Sequence, residues 1–266
     1  NTKIETSGYI AGVKDTSMHY FTHPAFQNDI NEIGYWVAKF PATASEGVVN
    51  GYTSDWICTS TDDDVSTKTI KVIPNATSWR CINAANAYKA SIAMKNNKVY
   101  GWDSNAVDTH VATNLEWGAV YYLTISKYGA HTNEVYINNN QNYMTGCAGN
   151  TASAATSTTC VNKYNSATGV KSSTTWNITG VYDMSGGAWE RTMSLYNDLI
   201  SGSGFTFMEY VNLPDAHITR YLTTSTDLLN NFGMGYDATV YGDGIYETSL
   251  GGKRRDGTAW SGLDGG

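Results

Sequence analysis

The sequence predicts an α+β chain with two main helices, short antiparallel strands and long irregular loops. Three observations carry that prediction. An Ala-rich stretch over residues 83–97 and a capping-box start at Thr113 supply the helices. Brief runs of aromatic and β-branched residues supply the strands. Extended tracts of Asn, Ser, Thr and Gly supply the loops.

The elements follow in order. Tyr35-Trp36-Val37-Ala38-Lys39-Phe40 has the aromatic and branched character of a strand. Residues 51–64 read as an acidic loop, with Asp62, Asp63 and Asp64 solvated. In the first helix Ala84, Ala85, Ala87, Ala90 and Ala93 permit close packing, and Ile82, Tyr88 and Ile92 share one face. Asn96-Asn97 ends it. The second helix opens on Thr113-Asn114-Leu115-Glu116, in which Thr caps the amide three residues on and Glu reaches back. Leu115, Val120, Tyr122 and Leu123 form its apolar face, and Gly129 ends it. Glu116 therefore has a structural task, which weighs against a catalytic one. Residues 138–175 hold few large apolar groups and read as a long irregular loop. A β-like Gly180-Val181-Tyr182 follows. Phe205-Thr206-Phe207-Met208-Glu209-Tyr210-Val211 alternates like a strand, and a short helix is expected within residues 215–229. Residues 233–266 are rich in Gly and aromatics. No repeat or linker is visible, so residues 1–266 read as one domain.

Composition narrows the class. Of 266 residues, 41% are hydrophobic, enough for a core, and only 15% are charged, against roughly 25% in an average soluble domain. Nineteen Tyr and eight Trp sit among abundant Asn, Thr, Ser and Gly, the palette of extracellular binding surfaces. A net charge of −7 argues against nucleic acid and anionic membranes as partners. Lys253-Arg254-Arg255 is too short to change that. No apolar run of about 18 residues spans a membrane. The chain begins with Asn rather than Met and reads as a mature or trimmed chain from which any export signal has been removed.

The four cysteines, Cys58, Cys81, Cys147 and Cys160, contain no CxxC pair. Of their three pairings, Cys58–Cys81 and Cys147–Cys160 close short sequential loops and suit an oxidising compartment. Four reduced, buried thiols are the alternative.

Enzymatic signatures are sparse. The histidines, His19, His23, His110, His131 and His217, sit in no GxSxG or HExxH context, and no phosphate loop or dinucleotide fingerprint is present. His110 reads as a hydrogen-bonded histidine at the start of the second helix. Asn75-Ala76-Thr77 and Asn177-Ile178-Thr179 match the glycosylation acceptor pattern. The most informative segment is Asp183-Met184-Ser185-Gly186-Gly187-Ala188-Trp189-Glu190. Two carboxylates bracket glycines that let the backbone turn its carbonyls inward, which suits a small calcium cage with Trp189 as anchor. The plain alternative is an acidic, Gly-rich turn.

Two stretches resemble one family. Asp108-Thr109-His110-Val111-Ala112-Thr113-Asn114-Leu115-Glu116-Trp117-Gly118-Ala119 and Gly180-Val181-Tyr182-Asp183-Met184-Ser185-Gly186-Gly187-Ala188-Trp189-Glu190 are similar to motifs of the formylglycine-generating-enzyme-like (sulfatase-modifying-factor) family. Thr22-His23-Pro24-Ala25-Phe26, Tyr143-Met144-Thr145-Gly146-Cys147-Ala148-Gly149 and Tyr241-Gly242-Asp243-Gly244-Ile245-Tyr246 resemble its branch of bacterial surface, prepilin-like and phage-encoded proteins. The resemblance runs from about residue 20 to 250, leaving about residues 1–20 as an N-terminal extension; if the chain continues past Gly266, the closing strands lie there.

The resemblance implies a C-type-lectin-like α+β fold. It implies a structural calcium held by the side chains of Asp183 and Glu190 and the carbonyls of Gly186 and Ala188. It also implies an aromatic ligand-binding face carrying Tyr236, Tyr241, Tyr246 and Trp260. The family's catalytic cysteines have no counterpart, because no Cys follows Cys160. The expected function is a non-catalytic, extracellular adhesin or receptor-binding module on a bacterial surface, pilus or phage particle. Its partner would be a surface glycan or protein. A filament or pilin-like subunit that self-assembles is the alternative, and a degenerate enzyme of the family is the third reading.

Overall fold

The computed structural model describes residues 35–45, 65–130, 133, 135–149, 158–188, 190–196, 200 and 202–221. Over these the chain is mixed α+β, with short elements joined by long irregular segments. Helix α1 spans Ala84–Ala93. Asn83 caps it by accepting from the Asn86 amide at 2.8 Å, a preferred N-cap chemistry. The helix tightens into a 3-10 turn, Met94–Asn96, as the Asn96-Asn97 stop predicts. Tyr88 and Ala85 are buried on its inner face.

Helix α2 spans Asn114–Ile125 and opens on the expected capping box. The Glu116 amide donates to Thr113 Oγ1 at 3.3 Å, and the Thr113 amide donates to Glu116 Oε2 at 2.7 Å. Its inner face agrees with the reading at Val120, which is buried, but differs elsewhere: Trp117 and Ala119 are buried, whereas Leu123 is 48% exposed. Its end differs too. The helix stops at Ile125, where the Ser126 hydroxyl donates to the Leu123 carbonyl at 2.7 Å. Gly129 lies in the next turn, where a Cβ would fall 2.1 Å from the Leu123 carbonyl oxygen. The glycine permits close chain return rather than stopping the helix.

Helix α3, Phe207–Val211, replaces the strand expected there. A second capping box decides it, with Thr206 and Glu209 bonding reciprocally at 3.2 Å and 2.8 Å. The helix expected within residues 215–229 is only a 3-10 turn, Asp215–His217, over the described part.

Strands are two or three residues long. β1 (Thr43–Ala44) and β2 (Ile70–Lys71) pair antiparallel, as do β3 (Cys147–Ala148) and β4 (Asn162–Lys163). β5 (Ser194–Tyr196) and β6 (Thr219–Tyr221) pair in parallel, against the all-antiparallel expectation. Residues 35–40 form no strand: the chain is irregular and Trp36 is fully exposed. The described parts of residues 138–175 carry more regular structure than expected, since they contain β3, β4 and the 3-10 turn Gly169–Ser172. The predicted Cys147–Cys160 disulfide clamps the β3–β4 pair, with its Cα atoms 5.2 Å apart. Cys81 is disulfide-bonded as well; Cys58 lies outside the described residues.

Two apolar clusters organise these pieces. Tyr88, Met193, Tyr210, Leu213 and Ile218 join α1, β5, α3 and the segment leading into β6. Trp117, Val120 and Met184 join α2 to the acidic loop. No described helix is long and apolar enough to cross a membrane.

Replacing both Cys147 and Cys160 with Ala should lower unfolding stability by about 3 kcal/mol, the chain-entropy value for so short a loop. Urea unfolding with an unchanged m-value checks this.

Candidate functional site

The acidic loop is a hub of buried hydrogen bonds. Asp183 is 1% exposed and adopts a left-handed backbone, φ 64°. Its Oδ1 accepts from Asn138 Nδ2 at 3.0 Å and its Oδ2 from the Gly146 amide at 2.7 Å. Asn138 carries the connection onward. Its Nδ2 donates to the Met144 carbonyl at 2.8 Å, its amide donates to the Ser185 carbonyl at 2.9 Å, and its carbonyl accepts from Gly187 at 2.9 Å. Beside the hub, the Tyr182 ring stacks on Phe40 at 5.0 Å, and the Tyr182 amide donates to the Lys39 carbonyl at 2.9 Å. Three chain segments therefore meet at Asp183.

Glu190 enters the same enclosure, where its Oε2 accepts from the Trp117 indole N–H. Burial pushes the Asp183 carboxyl up to about 6, against the opposing hydrogen bonds from Gly146 and Asn138. Burial pushes Glu190 up to about 7, opposed by the Trp117 bond and reinforced by the charge of Asp183. A carboxylate raised by burial and by the charge of a second one favours a proton or a nearby cation.

The donor set suits a hard cation. It is oxygen-only, and each Asp183 oxygen that accepts an N–H keeps a lone pair. Ser185 Oγ is also buried there with no hydrogen-bond partner among the described residues. Of the predicted carbonyl ligands, Gly186 is held in a bridge to Asn138 and Ala188 is buried. Trp189 lies outside the described residues, as do Tyr236, Tyr241, Tyr246 and Trp260.

A second polar cluster escaped the sequence reading. Asp108 and His110 precede α2, and His217 closes the 3-10 turn before β6. His217 Nε2 lies 2.6 Å from Asp108 Oδ2, and its Nδ1 lies 2.8 Å from the Tyr88 hydroxyl. The His110 and His217 rings stack at 4.5 Å. His110 Nε2 lies 3.1 Å from Glu116 Oε2, which bears out the hydrogen-bonded histidine expected at this helix start. Burial raises the Asp108 carboxyl, but the His217 hydrogen bond and the charges of both histidines outweigh it and hold it below the ordinary range. Glu116 is likewise held low: burial opposes, and bonds from His110 and Thr113 prevail. The Tyr88 hydroxyl is raised by burial and by Asp108, which is opposite to activation as a nucleophile. Asp108 and His217 stand 109 positions apart, so no local motif could reveal them.

Sequence reading also passed over an aromatic pair. Tyr100 and Trp102 stack at 4.8 Å with planes 19° apart, and Trp102 is 43% exposed.

The two loop glycines should respond differently to substitution. A Cβ on Gly186 would lie 2.4 Å from the Asn138 carbonyl oxygen, whereas one on Gly187 meets nothing nearer than 3.5 Å. Both have positive φ. Gly187→Ala should cost about 1 kcal/mol from backbone strain, and Gly186→Ala clearly more, measured by thermal unfolding.

The carboxylates set a pH signature. Their folded values are raised, so the neutral forms favour the native state. That stabilisation is complete below the unfolded values near 4 and is lost as pH rises through about 6 and 7. In chelator-treated protein Tm should fall between pH 5 and pH 8, and Glu190→Gln should flatten the upper part of that fall. A Tm profile over this range that is identical in both proteins would refute the assignment. Comparison with family models, curated proteins and solved structures returns no match for this chain, so its function must be read from its own chemistry.

Proposed function

We propose that the chain is a non-catalytic, extracellular ligand-binding module of C-type-lectin-like fold, displayed on a bacterial surface, pilus or phage particle. The observation that carries this reading is the buried Asp183 hub, which ties irregular segments together beside a disulfide-clamped strand pair. Such a scaffold leaves surface loops free to vary in chemistry while the backbone beneath stays fixed. Structural calcium, held by Asp183 and Glu190 with carbonyls of Gly186 and Ala188, supplies the counter-charge that two buried carboxylates lack. Exposed Trp102, backed by the half-buried Tyr100 ring, suits the apolar face of a sugar ring or an aromatic side chain. The low charge of the chain and its wealth of Tyr, Asn, Ser and Gly favour a neutral glycan or protein partner over nucleic acid.

The test has two arms. Millimolar calcium should raise Tm of the full chain, and the Asp183→Ala, Glu190→Ala variant should lose that rise. On a glycan and cell-surface array in calcium, the chain should bind saturably without turnover, and Trp102→Ala should weaken binding by about tenfold or more. An array without any ligand would sink the binding reading, and concentration-dependent fibres by electron microscopy would favour a filament subunit instead.

A further inference from the structure

We propose that Asp108, His110 and His217 form a zinc site that joins the segment before α2 to the turn before β6. One ligand atom from each residue, a carboxylate oxygen and a ring nitrogen from each His, lies within 4.8 Å of the others. A tetrahedral zinc with bonds near 2.1 Å sets its ligands roughly 3.4 Å apart, so closure requires the ligand atoms to draw in and one of the two stacked histidine rings to turn, because a metal lies in the plane of the imidazole that binds it. Imidazole nitrogen with carboxylate oxygen is a donor set zinc accepts, in contrast to the oxygen-only acidic loop.

The surroundings are already arranged for metal. A ligating histidine normally uses its second ring nitrogen on a fixed polar partner, which sets tautomer and orientation. The Tyr88 hydroxyl holds His217 Nδ1 at 2.8 Å, which leaves Nε2 facing Asp108. Glu116 holds His110 Nε2 at 3.1 Å, which leaves Nδ1 as that ring's ligand atom. Glu116 is itself fixed by the capping box of α2. Three protein ligands leave a fourth position for water. The His217 side chain is 8% exposed and that of Asp108 55%, so the site has a dry floor and an open rim through which a cation can enter.

Equilibrium dialysis of the untagged, chelator-stripped full chain against micromolar zinc, read by elemental analysis, tests this. One equivalent of zinc should be retained and Tm should rise. Cobalt at the same site should give the visible absorption of a tetrahedral ion. Asp108→Asn keeps a hydrogen-bonding side chain at an exposed position but loses the charge facing His217, so it should lower the metal-free Tm only modestly while weakening zinc binding by about tenfold or more. His217→Gln should do the same, with a lower metal-free Tm because its ring is buried. Glu190→Gln should retain zinc, which separates this site from the acidic loop. No retained zinc, or zinc retained equally by Asp108→Asn, overturns the proposal.

Discussion

The buried carboxylate of Asp183 is the constraint on which the rest depends. A chain with two- and three-residue strands cannot satisfy its backbone through ladders. Buried amides and carbonyls still need partners, because each one left bare costs about 1–3 kcal/mol. Side chains take over that work. Asp183 receives the Gly146 amide, Asn138 supplies the Met144 carbonyl, and Asn140 Oδ1 accepts from both Asn142 and Met144 amides. Thr145 donates to the Ile73 carbonyl at 2.7 Å, tying the segment before α1 to the same region. The network replaces a sheet with a set of point contacts.

That arrangement concentrates electrostatic cost in one place. Two N–H donors do not fully compensate for removing Asp183 from water, which is why its carboxyl is raised to about 6 despite them. Placing Glu190 within its field compounds the penalty. The backbone is also left-handed at the same point, since Asp183, Gly186 and Gly187 all have positive φ. Asp tolerates that region better than most residues, and the glycines tolerate it freely. Desolvated like charges in a single loop are what a bound cation would relieve.

Legibility from sequence followed the range of the forces. Thr113 and Glu116 act over three residues, so α2 and its start were readable. Thr206 and Glu209 carry the same signature, but the alternation of Phe205, Phe207 and Val211 suggested a strand and hid it. The aromatic run from Tyr35 to Phe40 was misleading for another reason. Phe40 stacks on Tyr182 and Tyr35 donates to the Glu116 carbonyl, so these rings serve distant partners rather than a local strand. In α2, Trp117 buried itself in preference to Leu123 because Glu190 and Met184, more than 60 residues on, offer it a partner and a surface. The Asp108–His217 contact is invisible to any local pattern for the same reason.

The two polar sites share a frame. Glu116 and Trp117 are consecutive residues in the first turns of α2, and one holds His110 while the other holds Glu190. Beyond Glu190 the chain runs on to Met193, which bridges Thr113 and accepts from the Thr219 amide, two residues past His217. The start of α2, residues 190–196 and the β6 strand therefore form one short hydrogen-bonded lattice with a polar cluster at each side. The capping box fixes Glu116 independently of His110, so the lattice does not rely on either cluster being filled. A cation at one site would tighten its own side of a frame that already stands. For that reason the pair acts as two separate staples on loop-rich chain rather than as a coupled switch, since coupling needs an element with two alternative arrangements.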